Sequence, residues 1–237
     1  MVAALGSLAI SHKLPARYHN DETTNIIRLT GNIFVVASSL VLGLLLNSAK
    51  NSFGAVDRNV HVLATELILL DRTLRQYGPE TSVAREHLVA YVRSAVDGTW
   101  RTGGQPIIED RAAERLLDDV GRALATIRPA DPGRAELWRE AQTSYQSVVK
   151  QRWVLIEQSD EAIPAPFLAM LVTWLTLVFA SYGYRAARNP VVVASLVAAA
   201  LLLAASMYLI LDMDKAFAGT IRVSPAPLER VVEQLQR

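Results

Sequence analysis

Three long apolar runs, at residues 26–46, 164–184 and 190–211, punctuate an otherwise mixed chain. Each is close to the ~20 residues that a helix needs to cross the hydrocarbon core. Each therefore predicts a membrane span: span A over Ile26–Leu46, span B over Pro164–Tyr184 and span C over Pro190–Leu211. Between A and B the pattern changes. Val56, Val60, Leu63, Leu67, Leu70, Leu74 and Tyr77 recur at spacings of four and three, with Asp57, Arg58, Glu66, Asp71, Arg72 and Arg75 between them. This is a heptad seam, which predicts a helix packed against other helices at a shallow angle. Gly78-Pro79 ends it, because glycine accepts the left-handed cap and proline cannot continue the helix. Further amphipathic helices are predicted at 81–96, 109–127 and 134–159, the last on a seam of Leu137, Ala141, Tyr145, Val148, Arg152 and Leu155. Glycines 98, 103 and 104 with Pro106 predict a loop over 97–108. Beyond span C, residues 216–224 read as an extended link, and 225–236 as a short helix with Leu228, Val231, Val232 and Leu235 on one face. That face suits docking on the helical domain or on a membrane surface.

These elements define an all-α protein in which multi-span membrane helices carry an inserted helical-bundle domain. The expected boundaries are 21–53 for span A, 54–160 for the bundle, 161–215 for the B–C hairpin and 216–237 for the tail. Residues 1–20 hold a short or truncated first membrane segment and a basic loop. Val2–Ile10 is apolar, but only half as long as a crossing requires. The long bundle helices are expected to run antiparallel and to continue from spans A and B as a stalk, at ~1.5 Å per residue.

Composition sharpens this picture. Hydrophobic residues make up 51% of the 237 positions and the net charge is +1, so no overall field points to a nucleic-acid partner. There is no cysteine, which excludes disulfides, thiol catalysis and cysteine-type zinc sites. The histidines, at 12, 19, 61 and 87, have no i,i+3 or i,i+4 partner among themselves. No phosphate-cradling glycine loop, nucleophile elbow or zinc-protease helix occurs, so neither an enzyme nor a cofactor is expected. The short connections His12–Arg17 and Arg185–Arg188 are basic, and counting them places both on the cytoplasmic side and the bundle outside.

The informative chemistry lies in span A. Arg28, Asn32, Ser39, Gly43, Asn47 and Lys50 stand at spacings of four, seven, four, four and three, forming one stripe of polar and small residues. Polar groups at membrane depth face protein or water, since lipid cannot satisfy them. Several copies of span A around a pore would meet that need. Arg28 and Lys50 would then attract anions at its ends, and Val35 and Val36 would form a hydrophobic constriction between Asn32 and Ser39. Alternatively, Ser39 and Gly43 let neighbouring helices approach, and Arg28 and Lys50 reach to the headgroups. Asp212 and Asp214, at the exit of span C, suit either a cation at a pore mouth or a helix end anchored in water.

Several stretches resemble the bestrophin-like family of bacterial membrane proteins. They are Leu42-Gly43-Leu44-Leu45, Ser48-Ala49-Lys50-Asn51-Ser52-Phe53, Leu70-Asp71-Arg72-Thr73-Leu74, Tyr77-Gly78-Pro79-Glu80, Leu211-Asp212-Met213-Asp214-Lys215-Ala216-Phe217-Ala218-Gly219 and Val223-Ser224. The resemblance implies a bacterial inner-membrane protein with two spans on each side of the helical domain, so this chain departs from the pattern at its start. By its relation to bestrophins, which form pentameric anion channels with a cytoplasmic helical domain, it also implies a homo-oligomer, a pentamer, that handles inorganic ions. That topology puts residues 54–160 in the cytoplasm, opposite to the charge count. The alternative function is a non-conducting membrane scaffold or sensor that binds a partner through its helical domain.

Overall fold

The computed structural model describes residues 21–101, 111–160, 163–185 and 189–237. The expected first membrane segment and basic loop, and the glycines at 103 and 104, lie outside the described residues. Every regular element among the described residues is helical. The chain divides into two compact units, one of Met1–Lys50 with Ile163–Leu211, the other of Asn51–Ala162 with Asp212–Arg237.

One helix contributes to both. Helix α1 runs unbroken over Asp21–Tyr77, through the polar stretch at 47–53, which holds neither proline nor a cap. It stops at Gly78, whose φ of 123° no helix interior accepts. There the Thr81 hydroxyl donates to the carbonyls of Leu74 at 2.6 Å and Gly78 at 2.8 Å, satisfying acceptors that the helix end leaves open.

The span unit consists of the first part of α1 with α5 (Ala165–Arg185) and α6 (Pro190–Met213) up to Leu211. Among the described residues three helices, α1, α5 and α6, are long and apolar enough to cross a membrane. Their large apolar side chains point outward to an unusual degree: Val36 is 69% exposed, Val191 69% and Leu202 71%. Such a surface is stable against lipid or further protein, not water. The hydroxyls of Thr173, Thr176, Ser195 and Ser206 each donate to the carbonyl four residues back, at 2.7–2.9 Å. Their polarity is thereby absorbed inside the helix. α1 and α5 come close together at Gly31, where a Cβ would sit 2.6 Å from the Ser181 Oγ.

The bundle unit is built on the heptad seam of α1. Val56, Val60, Leu63, Leu67, Leu70 and Leu74 are all buried. Around them lie a 3-10 turn at Pro79–Thr81, α2 (Ser82–Val96), a π-helical turn at Asp97–Arg101, α3 (Arg111–Thr126), α4 (Pro132–Asp160) and α7 (Ala226–Leu235). Removing any one of those leucine side chains to alanine would cost about 2–5 kcal/mol. α4 runs antiparallel to α1. Asn59 bonds to Gln158 (2.6 Å) and Gln151 (3.0 Å), while Glu80, just past the other end of α1, pairs with Arg134.

One feature departs from the pattern-based expectation. The region from 97 begins as an ordered turn, not a loop. Trp100 is buried, donates its Nε1 to the Val223 carbonyl at 2.7 Å and meets Phe217 edge-on at 5.5 Å. The tail belongs to the bundle unit, the first of the two docking places that its apolar face suited. Leu228, Val231 and Leu235 are buried in its core, so the apolar face of α7 docks on the bundle.

Candidate functional site

The stripe of span A can now be placed. The side of α1 that packs within the span unit carries Gly31, Ser38 and Ala49, all buried, with Leu42 and Leu45 half-buried between them. The predicted stripe lies to one side of that line. Arg28, Asn32, Val36, Ser39, Gly43, Asn47 and Lys50 are exposed, and Val35 is half-buried. Arg28 donates to the Asn25 Oδ1 at 2.6 Å, and Ser39 donates to the Val35 carbonyl at 2.8 Å. Asn32 and Asn47 make no side-chain hydrogen bond to any described residue. A Cβ added at Gly43 would meet nothing within 4 Å. Close packing inside this chain therefore involves Gly31 and leaves Gly43 unexplained.

Val35 and Ser39 border a cavity of about 500 Å³ in the span unit, whose wall is otherwise mostly apolar, with Leu42, Val178, Phe179 and Ser195. Ser38 lines the same cavity. It is 4% exposed and its Oγ has no hydrogen-bond partner among the described residues. The hydrophobic pair thus splits, with Val36 on the uncovered face and Val35 turned towards this cavity. Ser38 was not among the residues expected to matter. Its signal was the second small-residue line through Gly31, Ser38 and Ala49, parallel to the one chosen.

At the exit of span C, Asp212 is buried. Its Oδ2 accepts the backbone N–H groups of Thr220 and Ile221, each at 2.8 Å. The loop closes only because residue 219 is glycine, with φ of 94° and no Cβ to collide with that carboxylate. Asp214 is half-buried and also engaged. No group of three or more His, Asp or Glu side chains among the described residues could hold a metal ion.

A second polar constellation ties the bundle unit together. The buried Asp71 accepts the Nε of Arg75 at 2.7 Å and the Nε of Arg85 at 2.8 Å. Both arginines reach on to the last carbonyls of α7, Arg75 to Gln234 and Leu235 at 3.1 Å and Arg85 to Leu235 at 3.4 Å. Cations suit that end of a helix, where unpaired carbonyls gather negative charge.

Apolar helices of spanning length joined to a helical bundle define a class, the all-α integral membrane proteins. Within it the family is specific: residues 1–228 match the bestrophin-like domain, and the chain belongs to that family. The fold agrees. A bacterial bestrophin homologue from Klebsiella pneumoniae, in a substituted form, superposes with a TM-score of 0.70 at 16% identity, covering 99% of this chain and 94% of that one. A second structure of the Klebsiella homologue gives 0.68 at 16% identity, over 98% and 96%. A structure described as a membrane protein gives 0.69 at 13% identity, over 99% and 96%. No curated protein matches the sequence.

Proposed function

We propose that this protein is the subunit of an oligomeric ion channel, selective for anions, in which the span-A part of α1 lines the pore. The observation that carries the proposal is the uncovered stripe. Asn32, Ser39, Gly43 and Asn47 lie on a face that the described spans leave exposed, within a helix otherwise rich in Ile, Val and Leu. Acyl chains cannot satisfy an asparagine amide, so copies of this helix meeting around water relieve the cost. Arg28 and Lys50, exposed at the two ends, concentrate anions, and Val36 supplies an apolar ring between Asn32 and Ser39. Membership of the bestrophin-like family supports the same reading, because bestrophins are pentameric anion channels.

The test is conduction. Purified oligomers fused into planar bilayers are expected to carry anion current, with single-channel conductance changed by Asn32→Leu and reversal potential moved towards cations by Lys50→Glu. Bilayers that stay silent despite verified oligomers would replace this proposal with the non-conducting scaffold.

A further inference from the structure

Where the C-terminal end of α7 meets α1 and α2, the bundle unit carries two adjoining clefts of about 610 and 570 Å³. They share Arg75 and Arg237. The larger adds Arg72 and Arg230, and the smaller adds Arg85 and Arg93. Against these six guanidinium groups stand three carboxylates, Asp71, Glu86 and Glu233. A chain with a net charge of only +1 thus concentrates an excess of positive charge on one surface.

Part of that charge has a structural purpose. Arg75 and Arg85 hold Asp71 and the last carbonyls of α7, and Arg93 lies against the Gln236 amide. The remainder does not. Arg72 and Arg237 bond to no described residue, and Arg230 uses only its Nε, on the Ala226 carbonyl at 3.2 Å. Glu233 makes no ion pair among the described residues, although it borders the same cleft. Elsewhere in the bundle unit, Arg122 pairs with Asp119, Arg134 with Glu80 and Arg139 with Glu136, while Arg58 and Arg115 stand singly on the surface and not together in a cleft. Cations facing one another across a concave surface repel, and a bound anion removes that cost. Guanidinium forks match phosphate oxygens two at a time. The clefts fall within the size range of small-molecule sites, and Ile68 and Leu69 give the larger one an apolar wall.

We propose that these clefts bind a small organic polyphosphate, its phosphates on Arg72, Arg230 and Arg237 and its less polar part against Ile68 and Leu69. A phosphorylated lipid headgroup offers the same chemistry, so the test carries an arm for each source. Calorimetry on the full-length protein in detergent uses magnesium-free ATP as the soluble probe and dioctanoyl phosphatidic acid as the lipid probe. Saturable binding is expected, weakened at least about tenfold by the double substitution Arg72→Glu/Arg230→Glu. Raising salt from about 50 to about 500 mM should weaken it too. Both arginines are exposed, so the double variant keeps its fold, which its melting curve verifies. The control Arg115→Glu, at an exposed position outside the clefts, leaves binding intact. Tighter binding of ATP than of phosphatidic acid upholds the site with a soluble occupant, and the reverse order upholds it with a headgroup. If neither probe binds, or the double variant binds as well as the parent, the proposal is wrong.

Discussion

Tyr91 is completely buried and its hydroxyl has no hydrogen-bond partner among the described residues, a costly arrangement for a phenol. Burial pushes its pKa up to about 12, with the charge of Arg152 pulling slightly the other way. Because an unfolded tyrosine ionises near 10, the neutral phenol leaves stability intact below that pH. Stability is then lost as pH rises from 10 towards 12, by about 2–3 kcal/mol. Tyr91→Phe is therefore expected to leave stability near pH 8 unchanged or to raise it by up to about 1 kcal/mol, since no bond is lost. It should also remove this share of the alkaline loss. Paired unfolding curves at the two pH values check both parts, and a clear loss near pH 8 would reveal a partner for the hydroxyl. Arg152 shows what sequence conveys at this scale. Its place on the α4 seam foretold burial, and it is indeed 3% exposed, 4.0 Å from Glu114. The seam could not show that its Nε goes unpartnered, because that depends on atoms supplied by other helices.

For helices, periodicity was a faithful guide. The seam of α1, the inward faces of α2 and α3, and the buried face of α7 repeat every three or four residues, and such repeats mark a face whatever lies opposite. Trp100 escaped notice for the converse reason. A single aromatic among glycines has no period, and its partner Val223 lies 123 positions away. Trp100→Ala would empty the space against Phe217 and orphan the Val223 carbonyl. It is expected to destabilise the bundle unit by about 3–5 kcal/mol, read as a lower denaturation midpoint. A change as small as a surface substitution would show that the π-helical turn is not anchored there. The end of span C had a similar limit. Asp212 was visible as a carboxylate at a helix exit, but its two backbone donors became evident only once Gly219 had folded the chain back.

At the scale of the whole molecule, the candidate site was half legible. Spacing alone drew the line from Arg28 to Lys50, but α1 carries two lines of small residues. Only packing distinguishes the one that meets its own spans, at Gly31 and Ser38, from the one left open, at Asn32, Ser39 and Gly43. The chain lacks cysteine, so single thiols can probe that difference without a background. Cysteines placed at Asn32, Ser39 and Asn47 in membranes are expected to react with a charged, membrane-impermeant thiol reagent at least about tenfold faster than cysteines at Leu40 and Leu44. Equal rates would mean that no water reaches the stripe. The way the bundle core is assembled has a consequence for biosynthesis. Its interior draws on the stretch that follows span A and also on Phe217, Val223, Leu228, Val231 and Leu235, which the ribosome releases only after both later spans. Until those residues emerge, the seam of α1 is covered by α2, α3 and α4 alone. A nascent chain thus completes this core only after span C has been made, and translation halted before residue 216 would yield a bundle recognisable to proteases by the gap that α7 otherwise fills.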